Sequence, residues 1–532
     1  DGEHVASIAP APRARTFRVT FEFPGETFTP AAARPARSVE RRWPQTATAP
    51  AKLEHLSQNG LILDLIAVPE VNPWNRRVRP ADLAFLSDDR AAVVTFDGDV
   101  WLVSGFADLQ LARLEWRRFA SGLHEPLAIA APGGVIQVAT KNGIIRLHDR
   151  DTNGEADGFE NFNDKVIQSQ TTRSFPLDMA VAPDGSTFVT QGGIVTQSGL
   201  PSGGTGTAHT GAFLRVARDG RALETFARAA REPFLAVHPV TGVVTGTDQQ
   251  GHYIPSTPVY LVRRGDSFGF LEKEPAPVTP PLVWIPHDQD ISASSQVWMH
   301  GKAMGPWHAR LLHLSYGTGR LLLVVPDLEA PVPQGAVIPL EFKTGLPLLH
   351  GRMHPRGDAV FLAGFQIWGT QTPTKWSLGR LRHGPAPITT ALHALSTREG
   401  VVLTFSDPLS AASVTPQAVR IRSWNYRRSA AYGSGRYSHD GSPGADRHGV
   451  GQTVLSRDGR SVFIHVPHLR PTMQLEVRHD FLLARGEPAR GAVFFTIHAL
   501  RDLDLAAAGF PPIDLTRGAI ATAPEKEPLP TV

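Results

Sequence analysis

Residues 82–103 read DLAFLSDDRAAVVTFDGDVWLV. A short apolar run ends at Leu86, Asp88-Asp89-Arg90 turns the chain, and a second run fills 91–96. Asp97-Gly98 turns it again, and a third run fills 100–103. β-Branched and aromatic runs of this length between Asp/Gly clusters specify short strands joined by tight turns. The scheme recurs. Residues 127–130 precede Gly133-Gly134 and 135–140; 179–182 precede Pro183-Asp184-Gly185 and 187–190; 235–238 precede Pro239, Gly242 and 243–247. Residues 311–314 precede the turn 316–319 and 321–325, and 348–353 precede 354–357 and 359–363. Evenly distributed units of this size predict a β-propeller over 71–386, with six units in view. The longest interval, between about Gly251 and Gly305, contains an insertion. A seventh unit has room there, or an N-terminal strand closes the ring.

The flanks differ in composition. Residues 1–70 are rich in Ala, Pro and Arg and read as an extended arm, with a strand at 16–23 and a strap at 31–51. Gly384-Pro385-Ala386-Pro387 reads as a linker. Alternating runs at 401–405, 418–424, 461–466, 473–477 and 492–497 then predict an immunoglobulin-like β-sandwich over 387–500. Residues 427–451, rich in Tyr, Gly, Ser, Asp and His, read as a long inserted loop, and 501–532 as a Pro-rich tail. The expected fold is all-β: a six-bladed β-propeller followed by an immunoglobulin-like sandwich.

Composition bounds the chemistry. The chain has 532 residues, 41% hydrophobic and 19% charged, with 49 Gly and 45 Pro. That is globular, turn-rich and long enough for two domains. Cysteine is absent, which excludes disulfides, thiol nucleophiles and thiolate zinc sites on this chain. A formal charge of +3 without interleaved basic and aromatic residues points away from nucleic acid. No apolar run is long enough for a membrane span. The sequence begins at Asp1, which fits removal of a secretory signal and an extracytoplasmic location, periplasmic or extracellular. Gly203-Gly204-Thr205-Gly206-Thr207 precedes no helix, so it reads as a loop and not a phosphate cradle.

The most specific motif is DRDTNGEADGFE at 149–160. Asp149, Asp151, Asn153, Glu155, Asp157 and Glu160 fall on the calcium-loop spacing, with Gly154 at the turn. Carboxylates on alternate residues of a tight loop converge on one point, and calcium asks for six to eight oxygens. The flanks are strand-like, so a bound Ca2+ here staples a loop of a β-protein. The competing reading is a solvated acidic turn. Farther on, Trp284-Ile285-Pro286-His287-Asp288-Gln289-Asp290 places a His and two carboxylates beside an apolar strand. That suits an acid/base pair or a metal at the propeller mouth, and equally a polar turn. His300, His308 and His313 follow no recognised ligand spacing. Tyr253, Trp298, Trp307 and Tyr316 suit either sugar stacking or packing between blades.

Several of these stretches together resemble one family: 97–101 (DGDVW), 116–123 (WRRFASGL), 145–149 (IRLHD) with ENFN at 160–163, 248–255 (DQQGHYIP), 284–288 (WIPHD) and 314–319 (LSYGTG). Trp424-Asn425-Tyr426 and Tyr432-Gly433-Ser434 extend the set. The chain resembles the secreted propeller proteins of Planctomycetes and Verrucomicrobia labelled membrane-bound dehydrogenase-like. These are distantly similar to soluble quinoprotein glucose/sorbosone dehydrogenases, which bind pyrroloquinoline quinone and calcium. The resemblance implies cofactor contacts from Arg231, Asp248 and Gln249. The family's Arg-Asn-Pro turn is Arg231-Glu232-Pro233 here, and its Gln-Gly turn is Asp248-Gln249-Gln250-Gly251. Its general-base His has no counterpart at Thr172-Arg173-Ser174-Phe175-Pro176. A base is needed within reach of the substrate hydroxyl, so the catalytic set implied is Arg231 with His252, His287 and Asp288 as replacements.

Two functions follow as expectations. One is a calcium-stabilised binding or assembly subunit that reaches a protein partner through its N- and C-terminal arms. The other is a quinone-dependent sugar or alcohol dehydrogenase, or another carbohydrate-active enzyme. The missing His favours the former.

Overall fold

The computed structural model describes residues 40–169, 174–194, 206–270 and 277–515, and the backbone of 525–527. The expected strand at 16–23, Thr172, Arg173, residues 203–205 and most of the tail beyond 515 lie outside these.

Among the described residues the chain is all-β, with only four short 3-10 helices. Six antiparallel sheets begin with Pro80–Phe85, Ala128–Ala130, Pro176–Val181, Phe234–Val237, Ala293–Met299 and His350–Met353. Each first strand neighbours the next, and the last lies beside the first, so the arrangement is propeller-like. Each recurring unit of the sequence falls in its own sheet. In the fifth, the sheet starts one strand earlier than the pattern indicates, at Ala293–Met299 (ASSQVWM). Its serines hide the strand in the sequence. They are tolerated because Ser294 Oγ lies within reach of two buried carbonyls, Leu314, 3.0 Å, and Leu348, 2.8 Å, either of which can accept its one proton. The interval 251–305 holds the outer strands Thr257–Leu261 and Val283–Ile285 of the fourth sheet.

Ring closure comes from the N-terminal side. Ala51–Gln58 and Leu61–Ile66 complete the sheet of His350–Met353, Ala359–Phe365 and Trp376–His383. Ala47–Ala49 pairs with Leu114–Ala120 at the edge of the first sheet. The described part of the expected arm is therefore laid on its own chain.

Polar groups tie the first strands together at the centre. Asp82 accepts the Ile129 N–H at 3.0 Å, and Asp178 accepts the Leu235 N–H at 3.2 Å. Arg352 bridges Asp82, 2.6 Å, and Asp178, 3.0 Å. His350, fully buried, points Nδ1 at Ala81 O, 2.9 Å, and Nε2 at Leu177 O, 3.1 Å. Carbonyls cannot donate, so both ring nitrogens carry protons. The imidazolium is consistent with its surroundings. Burial pushes the His350 pKa down, but the charges of Asp82 and Asp178 outweigh it and raise it.

Two sheets pack face to face beyond residue 390. One contains Ala391–Thr397, Gly400–Phe405, Ser461–His465 and Thr453–Leu455; the other contains Val419–Trp424, Ala445–His448, Thr472–Leu482 and Pro488–Ile497. Leu403, Ile464, Ile421, Val477 and Phe495 meet between them, all fully or nearly fully buried. The second sheet does not stop there. Pro488–Ile497 pairs with Gln334–Lys343, so nine strands run from the ring into the second unit. The same core cluster includes Leu63, Leu314 and Leu323 of the ring. After residue 500 the chain folds back, seating Phe510 against Phe463 and Val402. Glu525–Glu527 adds an edge strand beside Ala445–His448.

Candidate functional site

Phe234–Val237 and Val244–Thr247 pair with Phe234 opposite Thr247. That register brings the turn before one strand, Arg231-Glu232, beside the turn after the other, Asp248-Gln249-Gln250. Asp248 is fully buried and accepts three backbone N–H groups, from Arg231, Glu232 and Gln249, each at 2.7 Å. Burial nevertheless raises its carboxyl pKa to about 7, against the lowering effect of those donors and of Arg231. Arg231 Nη1 donates to Glu232 Oε2 at 3.0 Å and to Gln249 Oε1 at 2.5 Å. Gln249 Nε2 donates to Ser292 Oγ at 2.7 Å. Gly251 passes so close to Arg231 that a Cβ there would meet its side chain at 2.5 Å.

The second unit covers this cluster. Residues 425–444 leave the sandwich and lie along 250–254. Tyr253 N–H donates to Ser429 O, 2.8 Å, and Gly433 N–H to Gly251 O, 3.2 Å. His252 Nδ1 donates to Ala430 O at 2.8 Å. Arg428 donates to the carbonyls of Tyr253, 2.9 Å, and Gly269, 2.7 Å. The Tyr432 ring lies 5.3 Å from the Arg231 guanidinium and meets the His252 ring edge-on at 5.9 Å. On the neighbouring loop, Gln250 Nε2 donates to His287 Nε2 at 3.3 Å, and Arg436 pairs with Asp288 at 3.5 Å. Arg436 is held in turn over Trp424, 4.3 Å from its ring.

The expected residues Arg231, Asp248, Gln249, His252, His287 and Asp288 are thus neighbours at one end of the ring. What the sequence did not reveal is Glu232 as the partner of Arg231, and the cover supplied by Tyr432, Ala430 and Gly433. The long Tyr/Gly-rich insertion was the available signal, but its landing place is far away in the chain. Pyrroloquinoline quinone is a flat polyanion and needs a free cationic edge facing an open slot. Arg231 is 6% exposed, ion-paired with Glu232 and lies beneath Tyr432. The residues as placed do not fit the quinone.

The acidic loop is only partly gathered. Asp149 accepts the N–H groups of Asn153, 3.0 Å, and Gly154, 2.8 Å; Asp151 accepts from Asn153, 3.2 Å. Gly154 sits at φ 88°, which its missing side chain permits. Glu155 turns away and accepts the backbone N–H groups of Arg42, 2.8 Å, and Trp43, 2.6 Å. Glu160 lies on strand Gly158–Asn163 and binds His148 at 2.6 Å; Asp157 accepts from the Arg150 N–H at 3.2 Å. Among the described residues no group of three His, Asp or Glu side chains is disposed to hold a metal ion. Asp149, Asp151 and Asn153 share the turn, about half the shell that calcium asks for, and the other three do not join them. The expected six-ligand shell is not assembled in this structure.

The other histidines are structural in setting. His313 shares a hydrogen bond with Asp290 at 2.7 Å, both fully buried. The His300 ring lies tilted to that of His308 and edge-on to that of His238, at ring distances of 5.4 and 6.1 Å. Trp307 and Tyr316 are core residues, and Tyr316 Oη donates to Trp368 O at 3.0 Å.

No family model and no curated protein matches the chain. Solved structures do. A putative oxidoreductase (glucose dehydrogenase) from Thermus thermophilus is 18% identical over 60% of this chain and 100% of its own, with a TM-score of 0.46. The soluble aldose sugar dehydrogenase of Escherichia coli, in its apo form, is 12% identical over 61% and 100%, TM-score 0.46. The PQQ-bound aldose sugar dehydrogenase of Streptomyces coelicolor is 14% identical over 61% and 99%, TM-score 0.45. These are similarities in the course of the chain, at low identity.

Proposed function

We propose that this chain is an extracytoplasmic binding or assembly subunit, built as a six-bladed β-propeller (71–386) and an immunoglobulin-like sandwich (387–500), without dehydrogenase activity. The ring of six neighbouring first strands supports the blade count. The observation that carries the functional reading is the cover on Arg231. A loop of the sandwich, fixed by backbone hydrogen bonds to 251–254, lies over the residues that the resemblance implies for cofactor contacts. Glu232 meanwhile neutralises the cation that a quinone would need. The partner is a protein reached through the terminal arms.

One observation favours the competing reading of a quinone-dependent sugar dehydrogenase or other carbohydrate-active enzyme. The Asp248 carboxyl titrates at about 7, the range that suits a general base. Against it, Asp248 is fully buried and both its oxygens accept backbone N–H groups. The discriminating experiment is reconstitution with pyrroloquinoline quinone and calcium, followed by dye reduction across aldoses and alcohols. The subunit reading expects neither quinone binding nor turnover. Turnover that disappears in Arg231→Ala would overturn it.

A further inference from the structure

The outer face of the sandwich carries an arrangement that the covered cluster does not use. In strand Val419–Trp424 the residues Val419 and Ile421 face the core, so Arg420 and Arg422 project from the other side. Register then places Arg420 directly opposite Arg478, and Arg422 directly opposite Glu476 on one flank and Arg447 on the other. Four arginines therefore share one sheet face across three adjacent strands. Like charges set directly opposite on antiparallel strands are unfavourable. Arg420 and Arg478 form such a pair.

Glu476 fixes the geometry. It is 1% exposed, and its two oxygens accept from Arg422 Nε and Arg478 Nε, each at 2.6 Å. One buried carboxylate thereby holds two guanidinium groups in place. Arg420 has no acidic partner among the described residues. A cavity of about 660 Å³ lies over Arg420, Arg422, Arg447, His448, Glu476 and Arg478. A second, of about 640 Å³, shares Arg420 and Arg478 and continues to Arg490 and Glu341. In that second cavity Arg490 is paired with Asp480 at 2.5 Å, and Arg478 with Glu476 at 2.6 Å, so the cation left without a carboxylate is Arg420. Burial holds the His448 imidazole down to about 4, so it is neutral at physiological pH. At the far edge, register sets Glu525 opposite Arg447. The opposed pair that faces the groove is therefore Arg420 and Arg478.

We propose that this groove binds an oxyanion group, sulfate, phosphate or carboxylate, seated between Arg420 and Arg478. Planar guanidinium forks match tetrahedral and carboxylate oxygens and bind them with paired hydrogen bonds. Glu476 supplies the preorganisation, because a guanidinium already held in place loses less freedom on binding. The group arrives either as a free ion or as a substituent of an anionic saccharide. Either source relieves the opposition between Arg420 and Arg478.

The test is calorimetric titration of the full chain at constant ionic strength with inorganic sulfate, inorganic phosphate, a heparin-derived hexasaccharide and neutral maltohexaose. Binding of the anionic probes and not of maltohexaose is expected, with at least a tenfold loss of affinity in Arg420→Gln/Arg478→Gln. A hexasaccharide that binds far more tightly than the inorganic ions identifies a chain-borne group; parity identifies a free ion. Thermal melting supplies an independent readout. Without ligand, Arg420→Gln melts no lower than the native chain, because it removes a like-charge opposition. The proposal is overturned if none of the anions binds, or if they bind equally well to the double variant.

Discussion

Tyr432 of the second unit lies over Arg231 of the ring, 5.3 Å from ring centroid to guanidinium, across 201 positions of chain. The tyrosine is 53% exposed, an unusual state for a ring in a fixed contact. Removing it, in Tyr432→Ala, should cost about 1 kcal/mol through the lost cation–π contact. The same change should quicken proteolytic cleavage within 427–436. Urea denaturation and limited proteolysis measure the two effects. An unchanged cleavage rate would mean that the backbone bonds alone hold the cover.

His350 makes the centre of the ring sensitive to alkali. Its folded pKa lies above the ordinary value of about 6.5. Its stabilising contribution is therefore fully present below that value and is lost as pH rises through the folded pKa. Its neighbour Asp178 has the opposite sign. Burial pushes its pKa up, but His350 and Arg352 bring it down to about 2, so its contribution is lost as pH falls from about 4 towards 2. His350→Met leaves Asp178 without one of its cations and should destabilise the chain by about 3 kcal/mol. Unfolding free energies of native and variant chains across pH 5–9, where the gap should narrow at the alkaline end, test this.

Asp248 adds a second pH dependence. Its carboxyl is raised from the ordinary 3.8 to about 7, so the folded state holds a proton that the unfolded state has released. Stability should decline as pH rises between those values. Asp248→Asn should remove that slope while weakening one of the three backbone hydrogen bonds. Guanidinium titrations at pH 5 and pH 8 provide the comparison. An identical slope in the variant would refute the assignment.

Glu155 anchors the N-terminal strap. Its carboxylate takes the N–H groups of Arg42 and Trp43, while Trp43 is held between the guanidinium groups of Arg42, 4.7 Å, and Arg118, 4.3 Å. Glu155→Ala should leave two amides unsatisfied, cost about 2 kcal/mol and raise hydrogen exchange across 42–49. Calcium provides a contrast. If Asp149, Asp151 and Asn153 stay as they are, millimolar calcium leaves the melting temperature unchanged. A rise that disappears in Asp151→Ala would show that the loop reorganises around the ion.

Local periodicity made much of the ring legible. Val93, Val138, Val189 and Leu323 mark strands because each sits in a short apolar run bounded by turn residues. The pattern failed where side-chain chemistry is resolved only in three dimensions. Ser294 and Ser295 interrupt the apolar pattern of their strand, and only the folded chain shows their hydroxyls meeting carbonyls. The site was half legible. Arg231 and Asp248 came from the resemblance of their two turns to those of the quinoprotein dehydrogenases, whereas Tyr432 covers them through a fold-back that no local spacing encodes. The acidic loop shows a different limit. Its spacing fits calcium, but Glu155 and Glu160 are drawn to Arg42, Trp43 and His148 from elsewhere in the chain.

The pairing of Gly335, Ala336 and Val337 with Thr496, Phe495 and Phe494 has a mechanical meaning. Were the two units joined by a tether alone, pulling on one would merely straighten the tether. Here a load applied to the sandwich is shared across three rungs of a ladder and enters the ring broadside. Severing the chain at 384–387 would not yield two finished bodies. It would strip the facing strands of both, leaving each with a raw border ready to zip onto the next molecule. The sandwich is hence pinned to the ring along this ladder as well as through residues 384–387.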